Sequence, residues 1–188
     1  MLRSRYPAVT VLAVAVLGLS GCGSSASSPD AKTPGSATAS PTAIPPERAY
    51  VSGDGAPADD WEDEGLLGED LPIRSDLAAL WQTVLWADGY LERSDVNCRY
   101  TGPTVQATRT WQSNRKLAAD GIVGPLTFGR AGEQLVERDG AVHYTGTEHT
   151  VEFRRAEDGR YLVEDVGSYR PLRRDRATLD VCEGAAGS

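Results

Sequence analysis

Apolar residues form three kinds of run along this chain. Pro7 to Leu19 is an unbroken, mostly apolar segment of 13 residues, preceded by Arg3 and Arg5. Leu77, Leu80, Trp81, Val84 and Leu85 then recur at helical spacing. They predict a first helix, with Ser75-Asp76 at its N-terminal cap and Asp88-Gly89 at its end. A second helix is expected over Pro103–Leu117, with Pro103 at the first helical position and an inward stripe of Thr104, Ala107, Thr108 and Trp111. A third begins at Pro125 and carries Phe128, Ala131 and Leu135. From about Gly140 the period shortens to two. His143–Thr145, Thr150–Phe153, Tyr161–Glu164 and Thr178–Val181 are β-prone, and Glu157-Asp158-Gly159 between two of them reads as a hairpin turn. Residues 141–182 therefore predict an antiparallel sheet of three or four strands. A lone hairpin is marginal in water, so this sheet is expected to pack on the helices.

Between the first apolar run and the first helix no period is visible. Residues 23–49 are rich in Ser, Ala, Pro, Thr and Gly, and residues 50–70 are Gly-rich and acidic. Residues 22–70 hold 10 acidic against 2 basic side chains, whereas residues 71–188 hold 17 against 15. Like charges extend a chain, so 22–70 reads as an acidic, disordered tether. Trp61, Leu66 and Leu67 near its end are expected either to pack loosely on the folded part or to form a short docking motif. The expected fold class is α+β: a helical unit over 71–136 and a small antiparallel β extension over 137–188, behind that tether.

The whole chain has 188 residues, a formal net charge of −8 and 7% aromatic residues. That composition excludes a polytopic membrane protein. The acidic balance excludes nucleic acid as a partner, because phosphate neutralisation needs a Lys/Arg excess.

The Pro7–Leu19 run would span about 20 Å as a helix, short of the ~30 Å hydrocarbon core. It reads as a signal-peptide core within residues 1–21. Leu19-Ser20-Gly21-Cys22 resembles the bacterial lipobox, in which the Cys is acylated and becomes the mature N-terminus. The resemblance implies export, a lipid anchor on Cys22 and a place on the cell membrane facing the wall. Cys98 and Cys182 are the two cysteines left over. In an oxidising compartment they are expected as a disulfide, the alternative being two free buried thiols.

The most informative stretch is Asp120-Gly121-Ile122-Val123-Gly124-Pro125-Leu126-Thr127. Asp-Gly makes a tight turn, Ile122 and Val123 are expected to point into a core, and Gly-Pro opens a helix. A degraded copy lies 23 residues earlier, Asn97-Cys98-Arg99-Tyr100-Thr101-Gly102-Pro103-Thr104, and Trp81-Gln82 and Trp111-Gln112 occupy the preceding helices. This pattern resembles the small three-helix peptidoglycan-binding domain attached to many wall hydrolases, over about residues 74–135. The second turn matches that family fully. The first departs at Asn97, Cys98 and Thr101. The resemblance implies non-catalytic binding of wall glycan or stem peptide. Candidate ligand-binding residues are Tyr100, Thr101, Arg109, Asn114 and Asp120: Tyr100 for its ring face and hydroxyl, Arg109 for bidentate pairing with a carboxylate. Trp81 and Trp111 read as core, and Gln82 and Gln112 as structural hydrogen bonders. Asp120 has the alternative of merely closing its own turn.

Nothing in the sequence points to an enzyme, a cofactor or a metal. His143 and His149 flank Glu148 at spacing that leaves a zinc site geometrically open, but no third ligand is evident. No G-x-S-x-G, H-E-x-x-H or phosphate-loop motif occurs. The expected partners are peptidoglycan, the membrane through Cys22, and an envelope protein through the C-terminal sheet. The alternatives are an assembly or regulatory lipoprotein that binds another protein, and an accessory subunit of a wall hydrolase.

Overall fold

The helix expected after Ser75 forms as α1 (Asp76–Ala87). Ser75 Oγ accepts the Ala78 N–H at 3.3 Å, supplying one of the caps a free helix start needs. All its residues except Trp86 are buried, so α1 runs through the middle of the protein. The computed structural model describes residues 48–71 and 74–183. The signal segment, Cys22 and the tether up to residue 47 lie outside the described residues.

Two further helices flank α1, each opened by one of the Gly-Pro-bearing segments. They are α2 (Gly102–Asn114) and α3 (Pro125–Gly132). Both end earlier than expected. After α2, Arg115 caps the last turn and Lys116 takes a left-handed conformation (φ 61°), which stops the helix before Leu117. After α3, Leu135 leaves the helical path because it pairs with Tyr144 in a strand.

The sheet is larger than the pattern predicts and spans 135–171 rather than 141–182. Its strands β1 (Leu135–Arg138), β2 (Ala141–Thr145), β3 (Thr150–Arg155), β4 (Tyr161–Asp165) and β5 (Ser168–Pro171) form an antiparallel meander in chain order. In the register, Val142 faces Phe153 and Phe153 faces Val163. The fold is thus mixed helix and five-stranded antiparallel sheet, α+β. Thr178–Val181, expected as a strand, instead leads into a single helical turn, α4 (Asp180–Glu183). The cause is Asp76, whose buried carboxylate accepts the N–H groups of Thr178 (2.7 Å) and Leu179 (3.2 Å) and the Thr178 hydroxyl (2.7 Å). Those bonds take the donors that a strand would need for a neighbour.

The main correction concerns the supposed end of the tether. Residues 48–71 form an ordered strap across the sheet and helices. Val51 donates its N–H to Leu172 O (3.0 Å) and accepts from Tyr161 N (2.9 Å), and Leu67 exchanges two bonds of 2.9 Å with Val123. Trp61 is fully buried, with its ring 6.0 Å from Tyr144, 5.8 Å from Phe153 and 6.2 Å from Tyr161. The acidic residues that suggested disorder are partly taken inside. Asp60 accepts from Tyr161 OH (2.6 Å) and Arg155 NH1 (2.9 Å). The helical unit and the β extension are likewise not separate bodies, because strap, helices and sheet share one core. Cys98 and Cys182 are bonded, closing an 84-residue separation.

One carboxylate joins the helices to the sheet. Asp88, just past α1, accepts at Oδ2 from Trp111 Nε1, Arg115 NH2 and Tyr144 OH, each at 2.7 Å. Its Oδ1 accepts the Thr147 N–H at 3.0 Å. Burial, and the adjacent Asp88 charge, push the Tyr144 hydroxyl well above its ordinary pKa. Asp88→Ala would strand three buried or half-buried donors at once. It is expected to cost about 3–5 kcal/mol, read as a shift in the urea unfolding midpoint.

Candidate functional site

The two related turns are built by one device used twice. Gln82 on α1 reaches into the first turn. Its Nε2 donates to Asn97 Oδ1 (3.0 Å), Arg99 O (3.0 Å) and Thr104 Oγ1 (3.1 Å), and its Oε1 accepts from the N–H groups of Asn97 (3.0 Å) and Cys98 (2.9 Å). Gln112 on α2 repeats this in the second turn. Its Nε2 donates to Asp120 Oδ1 (3.1 Å), Ile122 O (2.9 Å) and Thr127 Oγ1 (3.1 Å), and its Oε1 accepts from Gly121 N (2.9 Å). In each turn the leading side chain also closes on the backbone two residues on: Asn97 with Arg99 N (3.0 Å), Asp120 with Ile122 N (2.8 Å). A buried Gln with its amide satisfied on both sides fixes the turn rigidly. Gln82 and Gln112 are therefore structural, as expected. So are Trp81 and Trp111, which are fully buried and meet edge to face at 5.0 Å.

The match extends to backbone conformation. Gly121 has φ 75°, and Cys98 at the same place in the first turn has φ 66°. A left-handed conformation costs a residue with a Cβ roughly 1–2 kcal/mol. Cys98 holds it while bonded to Cys182, and Ser75 donates its N–H to Cys98 O at 3.2 Å. The first turn is thus tied to the C-terminal segment through Cys98, while Arg99 and Thr101 stay exposed.

The second turn keeps an open side. A hollow of about 180 Å³ lies between the end of α2 and the start of α3, lined by Leu117, Ala118, Asp120, Ile122, Gly124 and Leu126 among others. Leu126 is 81% exposed and Ile122 47%. Exposed Leu66 and Leu71 come from the strap beside the same turn: a Cβ on Gly124 would meet Leu66, and one on Gly68 would meet both Leu71 and Ile122. Ile122 was expected to point into a core. Only Val123 does, because the Leu67–Val123 backbone pairing turns the neighbouring side chain outward.

The five candidate residues do not form one site. Tyr100 is buried rather than presenting a ring face. Its hydroxyl donates to Gly121 O (2.9 Å) and pairs with Thr108 Oγ1 (2.9 Å), and burial pushes it up to about 12. It is a strut between the two turns. Arg109 is exposed, lies against Gly121 and donates to Asp120 O at 3.4 Å. Asp120 is exposed beside it, with Oδ1 committed to the turn. Thr101 and Asn114 are exposed at opposite ends of α2, about 20 Å apart at the helical rise. Asn114 donates to Tyr90 OH at 2.8 Å. Of the five, only Asp120 lines the open hollow, and Arg109 lies next to it against Gly121 of the same turn. In the apolar rim, the sequence reads Leu66 with Trp61 and Leu67 as a loosely packed segment or a docking motif, and of those three only Leu66 is exposed. Leu71 and Leu126 were missed, the one signal being a leucine placed directly after the Gly-Pro of a turn. His143 lies on the sheet, whereas His149 stacks on Trp86 at 4.4 Å, so the two do not converge.

A carboxyl group absent from the sequence reading is the other unusual feature. Glu64 in the strap is buried, and desolvation raises it to about 8 despite the Ser52 N–H and Arg174 beside it. No protein-family model, curated protein or solved structure matches this chain.

Proposed function

We propose that this is a non-catalytic, lipid-anchored envelope protein that binds peptidoglycan through a three-helix unit formed by α1, α2 and α3. The observation that supports this reading best is the Gln-clamped turn, used once before α2 and again before α3. It is the same sequence feature that resembles wall-binding domains, and it frames a fixed surface rather than a catalytic cleft. The open half of that surface is the second turn, where Asp120 lines a small hollow and the exposed Arg109 lies against Gly121. A guanidinium there suits a stem-peptide carboxylate. The lipid on Cys22 would hold that surface at the membrane, within reach of the wall.

Peptidoglycan co-sedimentation tests the reading. The full chain carrying Cys22→Ala is expected to pellet with purified insoluble sacculi at low salt, and Arg109→Ala is expected to release about tenfold more of it into the supernatant. Retention of the unaltered surface in the supernatant would overturn wall binding. Soluble muropeptides in the mixture would overturn the absence of catalysis. A fragment for this experiment must begin before Arg48, since Val51 and Trp61 belong to the core.

A second reading has its own observation. The exposed leucines Leu66, Leu71 and Leu126 with Ile122 form an apolar rim beside the hollow, and a contiguous apolar patch marks protein contact more often than sugar contact. On that reading the protein is an assembly or regulatory lipoprotein. Leu126→Asp separates the two, because it should abolish protein docking and leave sacculus binding nearly unchanged.

A further inference from the structure

A second hollow takes no residue from the repeated turns, although Leu66 on its wall also borders the second of them. It is a cleft of about 380 Å³ between the strap and the segment after β5, walled by Leu66 and Leu77, edged by Arg48, Asp63 and Arg174, and backed by Glu64. Its volume falls in the range of small-molecule sites, about 300–1,000 Å³.

The polar groups in this cleft are incompletely used. Glu64 Oε1 accepts the Ser52 N–H at 3.0 Å. Glu64 Oε2 is buried and lies 3.2 Å from Arg174 NH1, yet no hydrogen bond reaches it. Arg174 NH1 donates instead to Asp63 O (2.9 Å) and Nε to Arg48 O (2.8 Å). The remaining nitrogen, NH2, has no acceptor among the described residues. A buried carboxyl oxygen without a partner is costly as an anion and far less so as an O–H donor. With Glu64 in its acid form, the charged residues lining the cleft are Arg48, Arg174 and Asp63.

We propose that this cleft binds a small carboxylate-bearing ligand, with the Arg174 and Arg48 guanidiniums pairing with the carboxylate and the Glu64 O–H donating a third hydrogen bond to it. Leu66 and Leu77 accommodate a short aliphatic portion. Burial keeps Glu64 largely in its acid form at neutral pH. The charged groups facing it are Arg174, Asp63 and Asp60, with Arg48 at the rim. An ionised Glu64 would repel the ligand, so affinity is expected to fall as pH rises through the Glu64 titration. This inference does not depend on wall binding, since it uses neither repeated turn.

The test is a titration of the full chain with N-acetylglycine, and separately with its neutral amide N-acetylglycinamide, followed by amide NMR shifts. The carboxylate alone is expected to shift Gly65, Leu66 and Arg174 saturably. Arg48→Gln, a surface change, is expected to weaken it by about tenfold. Raising the pH from about 6.5 to about 9 should weaken the unmodified protein similarly. Glu64→Gln, whose amide still donates, should bind equally at both values. Equal shifts with both probes, no shift with either, indifference to Arg48→Gln, or a pH loss that persists in Glu64→Gln would each overturn the proposal.

Discussion

The Cys98→Ala/Cys182→Ala protein is expected to unfold with about 4–5 kcal/mol less free energy than the unmodified chain. The bond spans 84 residues, and closing a loop of that size removes about this much from the unfolded ensemble in the chain-entropy model. Urea unfolding with and without reductant measures it, and coincident curves would show that the bridge constrains nothing. A companion variant isolates the backbone contribution. Cys98 holds φ 66°, which glycine adopts freely and alanine does not. The Cys98→Gly/Cys182→Ala protein should therefore recover about 1 kcal/mol relative to the double alanine variant.

Stability is also expected to depend on pH through Glu64, and Glu64→Gln should remove that dependence. In the unfolded chain this carboxyl titrates near 4.5, and in the folded protein near 8. Between those values the folded state retains a proton that the unfolded chain has released. The stabilisation is therefore complete below about pH 4.5 and is lost progressively toward pH 8, at up to ~1.4 kcal/mol per pH unit. Other carboxylates contribute slopes of the opposite sign, so the quantity to read is the difference between the unmodified and Glu64→Gln proteins. It should be small near pH 4.5 and on the order of 4 kcal/mol in favour of Glu64→Gln near pH 8. A constant difference across that range would show that Glu64 is not held in its acid form.

The helices were legible because their apolar residues keep one period. Leu77, Leu80, Trp81, Val84 and Leu85 are all buried, as are Thr104, Thr108 and Trp111 on α2. The disulfide was legible once Cys22 was set aside by its resemblance to a lipobox, which left Cys98 and Cys182 as a pair. The strap was legible only in part: Trp61 and Leu67 were expected at most to pack loosely on the folded part, and Val51 was not expected to pack at all, because few apolar residues stand among the glycines and acids and no period reveals them. Their burial follows from partners about 100 residues away, such as Tyr161 and Leu172. The same distance hid α4, whose start is fixed by Asp76; β1 was hidden for a local reason, since Leu135 continues the helical stripe of α3 while pairing with Tyr144. At the candidate site the turns and the Gln clamps could be read from spacing. Tyr100 could not: an aromatic in a polar turn reads as an exposed platform, whereas the partners its hydroxyl finds in Gly121 O and Thr108 Oγ1 hold it inside.

The strap also decides how the protein would carry a mechanical load. Arg174 N bonds Ala49 O at 2.9 Å, and Val51 bonds both Leu172 and Tyr161. Any pull arriving along the chain from the N-terminal side meets this ladder before it meets a helix. If traction runs along the strap, those bonds share it in shear and resist together, so the repeated turns keep their shape under tension. Weakening the ladder would make the folded part peel open from its N-terminal side first.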